Sequence, residues 1–494
     1  MKRPLRRLGT AVIVLVVLLL ANLTYIQVYQ ASSLRSDPNN RRTVLDEYSR
    51  ARGQITAAGG AVLARSDPKD DQYNYQRVYP GKGAFANLTG FYSLRYGPTQ
   101  LELSQNSLLS GDDPDLWVDQ VSDLITGREP RGGNVQLTVV PAVQQAAYDA
   151  LTSKGFAGAV VALKPDTGAV LAMVSTPSFD PNPLASHDDT VQRQAYSDLT
   201  DANPPQMLDR SIENLYPPGS TFKLVVSAAA LQHGYSPQTM VTGASQITLP
   251  GSGGVTLSNF DGETCGGQGG NAVTLTTALA YSCNTAYAEV AMNVGAAQLK
   301  ATAEAFGVDG ATWGLDGFTI AASRTGAMAD DAAVAQSGIG QRDVALTPMQ
   351  NAVIAATIAD HGERMQPYLI AQTSRPDLSV INQASPQSAG QVIPVAVADQ
   401  IRDMMIKSES LTAGGGQIAG LTIASKTGTA EHGTDPKNTP PHAWYVAFAP
   451  ADNPTVAVAV LVENGGDKGL AATGGTVAAP IGRAVIAAAM AAGA

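Results

Sequence analysis

Pro217-Pro218-Gly219-Ser220-Thr221-Phe222-Lys223 opens with a Pro-Gly breaker and runs into the uncharged stretch Leu224-Val225-Val226-Ser227-Ala228-Ala229-Ala230-Leu231. Breaker followed by apolar run predicts a helix entered at or near Ser220. On a helix, positions three apart share one face, so the Ser220 hydroxyl and the Lys223 amine would stand one turn apart. A nearby amine can take the proton of a serine and make it a nucleophile without histidine. The first-turn N–H groups of such a helix would also favour a developing anion. Taken alone, Ser-x-x-Lys is equally an N-cap serine followed by a solvent lysine.

Two further segments raise the same pair of readings. Ser282-Cys283-Asn284 follows a helical run ending at Tyr281. There, Ser282 would relay a proton and the Asn284 carboxamide would hold a substrate peptide group, although such residues also end helices for backbone reasons alone. Lys426-Thr427-Gly428-Thr429 follows Leu421-Thr422-Ile423-Ala424-Ser425, a predicted strand. Gly428 leaves room for a substrate backbone against the strand edge. Lys426, Thr427 and Thr429 would offer a cation and hydroxyls to a carboxylate. Each tripeptide is weak alone; their fixed order is what points to a single site.

Around these segments the chain alternates between sheet and helix signals. Residues 159–163 and 169–174 flank Lys164-Pro165-Asp166-Thr167-Gly168, and residues 443–448 and 455–462 flank a second Pro/Asp/Asn turn; both read as hairpins. Alanine-rich helical stretches lie between them at 275–281, 286–294, 298–306 and 348–358, with a closing helix at 481–490. Strands at both ends and helices in the middle predict an α+β domain, an antiparallel sheet flanked by helices plus a helical subdomain. Its expected span is residues 157–494, after a connecting segment at 131–156. Residues 29–130 read as a small β-rich accessory module headed by Arg52-Gly53-Gln54-Ile55, with no catalytic or metal-ligand spacing.

The amino terminus reads differently. Lys2, Arg3, Arg6 and Arg7 fall in a tail of residues 1–7, and residues 8–28 form an apolar stretch of membrane-spanning length. Bases ahead of it predict a cytoplasmic amino terminus and an exported body. A cleaved signal peptide is the rival, with Ala31-Ser32-Ser33 as a poor cleavage site; the apolar stretch exceeds the usual signal length and favours the retained anchor. The formal net charge is −10, which argues against a nucleic-acid surface. An exported location permits a disulfide between Cys265 and Cys283. The five histidines, His187, His233, His361, His432 and His442, show no metal-ligand spacing, and no phosphate-binding Gly-Lys loop occurs. Neither a metal nor a cofactor is expected.

Ser-x-x-Lys, Ser-x-Asn and Lys-Thr-Gly in this order form the signature of penicillin-binding proteins and class A β-lactamases. With the anchor, Arg52-Gly53-Gln54-Ile55, Ile339-Gly340-Gln341 and Leu346-Thr347-Pro348-Met349-Gln350, the chain resembles the class B, monofunctional penicillin-binding proteins, and among them a compact actinobacterial subgroup. Thr56-Ala57-Ala58-Gly59-Gly60 departs from the run that usually follows the family's Arg-Gly start. The resemblance implies a transpeptidase-like fold and a D,D-transpeptidase acting on peptidoglycan stem peptides through an acyl-serine that β-lactams also form. It implies Ser220 as nucleophile, Lys223 as base, Ser282 as proton relay and Lys426 as the tuning cation. Asn284, Thr427, Gly428 and Thr429 would bind substrate, with the backbone amides of Ser220 and Thr429 as oxyanion hole. Partners so implied are the cytoplasmic membrane, a membrane glycosyltransferase and the division machinery; a D,D-carboxypeptidase or a β-lactam sensor on the same fold is the alternative.

Overall fold

The computed structural model describes residues 2–30, 48–117, 125–127, 131–267 and 271–493. The candidate cleavage site at 31–33 lies outside them. Lys2–Thr24 forms an α-helix continued by a π turn, Tyr25–Tyr29. The most apolar 18-residue window of its span Arg6–Tyr29 has a mean hydropathy of 2.4 and no buried residue. The length and exposed apolar side chains of this span are those of a membrane-spanning helix. The closing helix Ala479–Ala492 is also apolar, but its inner face is buried on a sheet, as a core helix should be.

The accessory module is not purely β. Short helices at Ala86–Thr89, Gln100–Ser104 and Asn106–Ser110 pack among its strands, each too short to show a sequence period. Its six-stranded sheet runs Val380–Gln383, Ile370–Ser374, Asn134–Leu137, Ile55–Thr56, Val62–Pro68, Tyr75–Val78. Two of those strands come from beyond residue 369, so the sheet joins distant parts of the chain. The connecting segment divides between the two bodies: Asn134–Leu137 belongs to this sheet, and helix Pro141–Thr152 packs on the second one.

The Arg-Gly-Gln-Ile segment has a packing rationale here. The Cβ of any other residue at Gly53 would lie 1.7 Å from the Gly133 carbonyl oxygen, and Ile55 is fully buried. Arg52 pairs through Nε with Glu102 at 2.6 Å, and Arg77 reaches the other carboxylate oxygen at 2.7 Å. The Tyr79 hydroxyl donates to the same carboxylate at 3.1 Å. Burial pushes the Glu102 carboxyl up, but the two guanidiniums outweigh it and hold it below the usual range. Its stabilising contribution is therefore complete above the unfolded value of about 4.3 and lost as pH falls through the lower folded value. Glu102→Gln leaves two guanidiniums facing a neutral amide, and calorimetry at pH 7 should show the module destabilised by about 3–5 kcal/mol. A variant with an unchanged melting profile would show that the triad does not hold the module.

The second body is a five-stranded antiparallel sheet ordered Ala424–Ala430, His442–Ala449, Val456–Val462, Gly158–Leu163, Val170–Thr176. Both hairpins form at their expected turns. The strand near residue 424 lies further on than expected: it runs through Lys-Thr-Gly rather than ending before it. Helices Pro141–Thr152 and Ala479–Ala492 cover one face. Helix Pro348–Ala359 covers the other and is buried at every position, which its apolar, period-free sequence requires. Helices Lys223–Gln232, Asn284–Val294 and Ala296–Ala305 pack beyond it as the helical subdomain.

Besides the three short accessory helices, Asp189–Thr200, Asp331–Gly338 and Val395–Leu411 have no counterpart in the sequence periodicity. The first two carried a legible start. Asp188 and Asp330 each accept hydrogen bonds from first-turn amides, the N-cap pattern.

Candidate active site

Ser220 does not sit on the α-helix itself. Gly219–Phe222 forms a 3₁₀ turn, and the α-helix starts at Lys223. Pro217 and Pro218 deny the helix earlier donors, and Gly219 enters the turn at φ +53°, a conformation suited to glycine. The turn is braced by its neighbours. The Thr221 hydroxyl donates to the Pro218 carbonyl at 2.9 Å and accepts from Asn351 Nδ2 at 3.0 Å. Trp444 Nε1 donates to the Pro217 carbonyl at 3.0 Å.

The Ser220 side chain is half-buried, and among the described residues its hydroxyl makes no hydrogen bond. Ser220 and Lys223 remain three residues apart on consecutive helical turns, with no hydrogen bond between their side chains among the described residues. Lys223 instead donates to the Ser282 carbonyl at 2.7 Å and to Asn284 Oδ1 at 2.8 Å, with Ser282 Oγ at 3.4 Å. Lys426 Nζ donates to the same Ser282 hydroxyl at 2.8 Å and to the Thr427 carbonyl at 2.9 Å. One hydroxyl therefore stands between two amines from distant parts of the chain.

Both amines are fully buried. Burial lowers Lys223 well below the usual lysine range, and the nearby Lys426 charge lowers it further. Burial also pushes Lys426 down to about 7. A lysine in this state is an available base near neutral pH. Tyr287 walls the pocket, its ring centroid 5.5 Å from Lys223 Nζ and its hydroxyl 2.7 Å from Ser227 Oγ.

Ser282 lies, as expected, in a turn between helices Leu275–Ala280 and Asn284–Val294. Its φ of +60° is a left-handed conformation uncommon for serine. The turn is held by a Cys265–Cys283 disulfide with Cα atoms 5.5 Å apart. Asn284 is already engaged at both ends, since its Nδ2 donates to the Ser258 carbonyl at 3.2 Å. Thr427 and Thr429 are half-exposed while Gly428 is buried between them. The Thr429 hydroxyl accepts from the Gly474 amide at 3.4 Å.

Close backbone approach calls for glycine at both 428 and 474. A Cβ on Gly428 would lie 2.9 Å from the Pro218 carbonyl oxygen. Gly474, behind it, would place a Cβ 2.6 Å from the Gly428 carbonyl oxygen. Gly474 had no role in the sequence reading, although the Thr473-Gly474-Gly475-Thr476 run is a signal of close backbone packing.

The other candidates have structural places. Glu289 accepts from the Thr242 amide and Glu213 from the Asp209 amide. Tyr445 is buried, its hydroxyl donating to Glu409 at 3.0 Å. His432 and His442 stack at 3.7 Å. Among the described residues no three His, Cys, Asp or Glu side chains are grouped to hold a metal ion.

Comparison with known proteins bears on the whole chain. Residues 158–487 match the penicillin binding protein transpeptidase domain, and residues 52–135 match the penicillin binding protein A dimerisation domain. The chain is 53% identical over 493 residues to the peptidoglycan D,D-transpeptidase PbpA of Mycolicibacterium smegmatis, covering 99% of each. It is 49% identical to that of Mycobacterium tuberculosis over the same span and coverage. Among solved structures, the ceftriaxone acyl-enzyme complex of penicillin-binding protein A from M. tuberculosis superposes with a TM-score of 0.88. It is 49% identical and covers 90% of this chain and 100% of its own. The penicillin G acyl-enzyme complex of the same protein gives 0.85 at 48% identity, with 89% and 100% covered.

Proposed function

Because this chain belongs to the penicillin-binding protein transpeptidase family, we propose that Ser220, Lys223, Ser282 and Lys426 carry out its D,D-transpeptidase reaction on peptidoglycan. The observation that carries the assignment is the Ser282 hydroxyl held between two buried amines, one from the nucleophile's helix and one from the Lys-Thr-Gly strand.

Ser220 Oγ attacks the carbonyl joining the two terminal D-alanines of a stem peptide. The amide C–N bond breaks, an ester forms on Ser220, and the terminal D-alanine leaves with a proton on its amine. Lys223 receives the serine proton. A neutral lysine has two N–H groups, and the Ser282 carbonyl and Asn284 Oδ1 occupy both. Its lone pair is then free for the incoming proton. Ser282 passes a proton to the departing amine, within reach of both lysines. The backbone amides of Ser220 and Thr429 hold the oxyanion, each donor worth about 3 kcal/mol. Thr427 and Thr429 grip the terminal carboxylate, Gly428 gives the substrate backbone room, and Asn284 meets an upstream amide. An acceptor amine from a neighbouring stem peptide then attacks the ester and frees Ser220. β-Lactams form the same ester.

Lys426 tunes this chemistry by charge. Removing it lifts the Coulombic part of the depression on Lys223, so the amine holds its proton to higher pH. In Lys426→Met the acid limb of the acylation-rate profile should shift to higher pH, together with a lower maximal rate. A stopped-flow pH series with a chromogenic cephalosporin measures it. An unmoved limb would mean that the two amines are not electrostatically coupled.

The span Arg6–Tyr29 anchors the protein as a single pass, with the bases at its start on the cytoplasmic side and the catalytic body outside. The reaction there uses strands polymerised by a membrane glycosyltransferase, and resemblance to actinobacterial proteins supports septal growth among the division machinery. The deciding experiment treats the purified protein with penicillin, weighs it intact and maps the modified peptide. The expected adduct is on Ser220. Untreated protein incubated with stem-peptide substrate should yield cross-linked dimers; trimmed monomers alone would favour a carboxypeptidase.

A further inference from the structure

The two amides assigned to the oxyanion hole belong to separate pieces of backbone, the 3₁₀ turn of Ser220 and the strand of Thr429. The pieces touch closely: a Cβ on Gly219 would lie 2.8 Å from the Thr429 carbonyl oxygen. Yet among the described residues no hydrogen bond runs directly between residues 217–223 and 424–431. Their spacing must be set by whatever bridges them.

One bridge is Trp444, which holds Pro217 from the neighbouring strand. A second is the Ser282 hydroxyl, which takes Lys223 at 3.4 Å and Lys426 at 2.8 Å, and a third runs through Gly340 and Gln341, just after helix Asp331–Gly338. The Gly219 amide donates to the Gly340 carbonyl at 2.9 Å. Gly340 has φ +71°, and a Cβ there would lie 2.0 Å from the Gly219 carbonyl oxygen, so the two backbones lie in direct contact. The next side chain turns to the strand. The Gln341 carboxamide lies flat against the Glu431 backbone, and the orientation that satisfies both groups has its nitrogen donating to the Glu431 carbonyl at 3.2 Å and its oxygen accepting from the Glu431 amide at 3.1 Å. Glu431 directly follows the last residue of strand Ala424–Ala430. A primary amide is the side-chain group that meets a backbone N–H and C=O of one residue together, as a neighbouring strand would.

The geometry points to Gln341 as a positioning residue that sets the separation of the Ser220 and Thr429 amides, and so the fit of the oxyanion hole to the tetrahedral state. It touches no substrate atom; it acts by tying the nucleophile's turn to the end of the Lys-Thr-Gly strand. This rests on the oxyanion-hole reading above. Because the bridge bears on the transition state, its loss should appear in the acylation step rather than in binding. Small displacements of such donors cost on the order of 10- to 100-fold in rate.

The test compares Gln341→Leu and Gln341→Glu with the parent in the full-length protein, separating the limiting acylation rate from the binding constant with a chromogenic cephalosporin. Gln341→Leu should lose 10- to 100-fold in the acylation rate with the binding constant changed less than about threefold. Gln341→Glu adds a switch, because a neutral carboxyl can donate and accept as the amide does whereas a carboxylate only accepts. Its rate relative to the parent should recover as pH falls from 8 to 5. A parent-like acylation rate in Gln341→Leu, a loss confined to binding, or a pH-independent ratio in Gln341→Glu would overturn the proposal. If Gln341→Leu does not fold, the pH ratio decides alone. If the parent takes no penicillin on Ser220, the catalytic assignment has failed instead.

Discussion

Ser220→Ala is expected to abolish covalent capture of penicillin while leaving the fold intact. The hydroxyl is half-buried and makes no hydrogen bond among the described residues. Its removal therefore strands no partner and opens no core cavity, and the melting temperature should stay within about 1 °C of the parent. The ester, by contrast, has nowhere else to form. Ser282, the other serine assigned to the site, stands between Lys223 and Lys426 rather than on the nucleophile's turn. Intact mass after prolonged incubation should show no adduct, and stem-peptide turnover should fall to background. Reversible binding should persist, because Thr427, Thr429 and Asn284 are untouched. An adduct of undiminished yield on the alanine variant would move the nucleophile elsewhere and undo the site assignment.

Lys223→Arg should lose about 10³-fold in acylation rate, within the range expected for removal of a positioned base. Burial, then the Lys426 charge, holds the Lys223 amine far below its ordinary value, which makes it a base near neutral pH. A guanidinium stays protonated in proteins, so the variant keeps a donor for the Ser282 carbonyl and Asn284 Oδ1 but has no lone pair to take the serine proton. Its rate should stay low across the whole pH range rather than recovering at high pH. Lys223→Met, also without a base, should be as slow; it additionally leaves the Ser282 carbonyl and Asn284 Oδ1 short of a donor, at about 1–3 kcal/mol for each group left unsatisfied. Adduct formation followed by mass against time gives both rates. Either variant acylating within tenfold of the parent would show that another group takes the proton.

These effects were legible from the sequence to different degrees. Ser220, Lys223, Ser282 and Lys426 were readable as a set because each short motif combines a reactive residue with a local backbone signal. Pro-Gly precedes the first, a helix end precedes the second, and a strand with glycine contains the third. The boundary of that strand was misplaced, since Lys426 and the threonines lie inside it. Leu421-Thr422-Ile423 looked more β-prone, but pairing with His442–Ala449 decided where the strand runs. Asp188 and Asp330 announced two helices that periodicity passed over, because helix Asp189–Thr200 is mostly polar and helix Asp331–Gly338 is short.

Local order of this kind is what the sequence by itself determined: the membrane-length amino-terminal helix, the hairpins, most helices of the second body and the residue types of the proposed catalytic set. Backbone preferences and side-chain periodicity act over a few residues, so they can be read without knowing what lies opposite. The tertiary structure alone decided that Lys223 meets Ser282 and Asn284. It also decided that strands at 370–383 join the accessory sheet, that Glu102 is buried between two arginines, and that Gln341 ties Gly219's turn to Glu431. Each of these depends on where distant segments return to meet. The lowered affinity of Lys223 and Lys426 for protons depends on it too, because only the packed interior removes the water that would otherwise keep both amines charged.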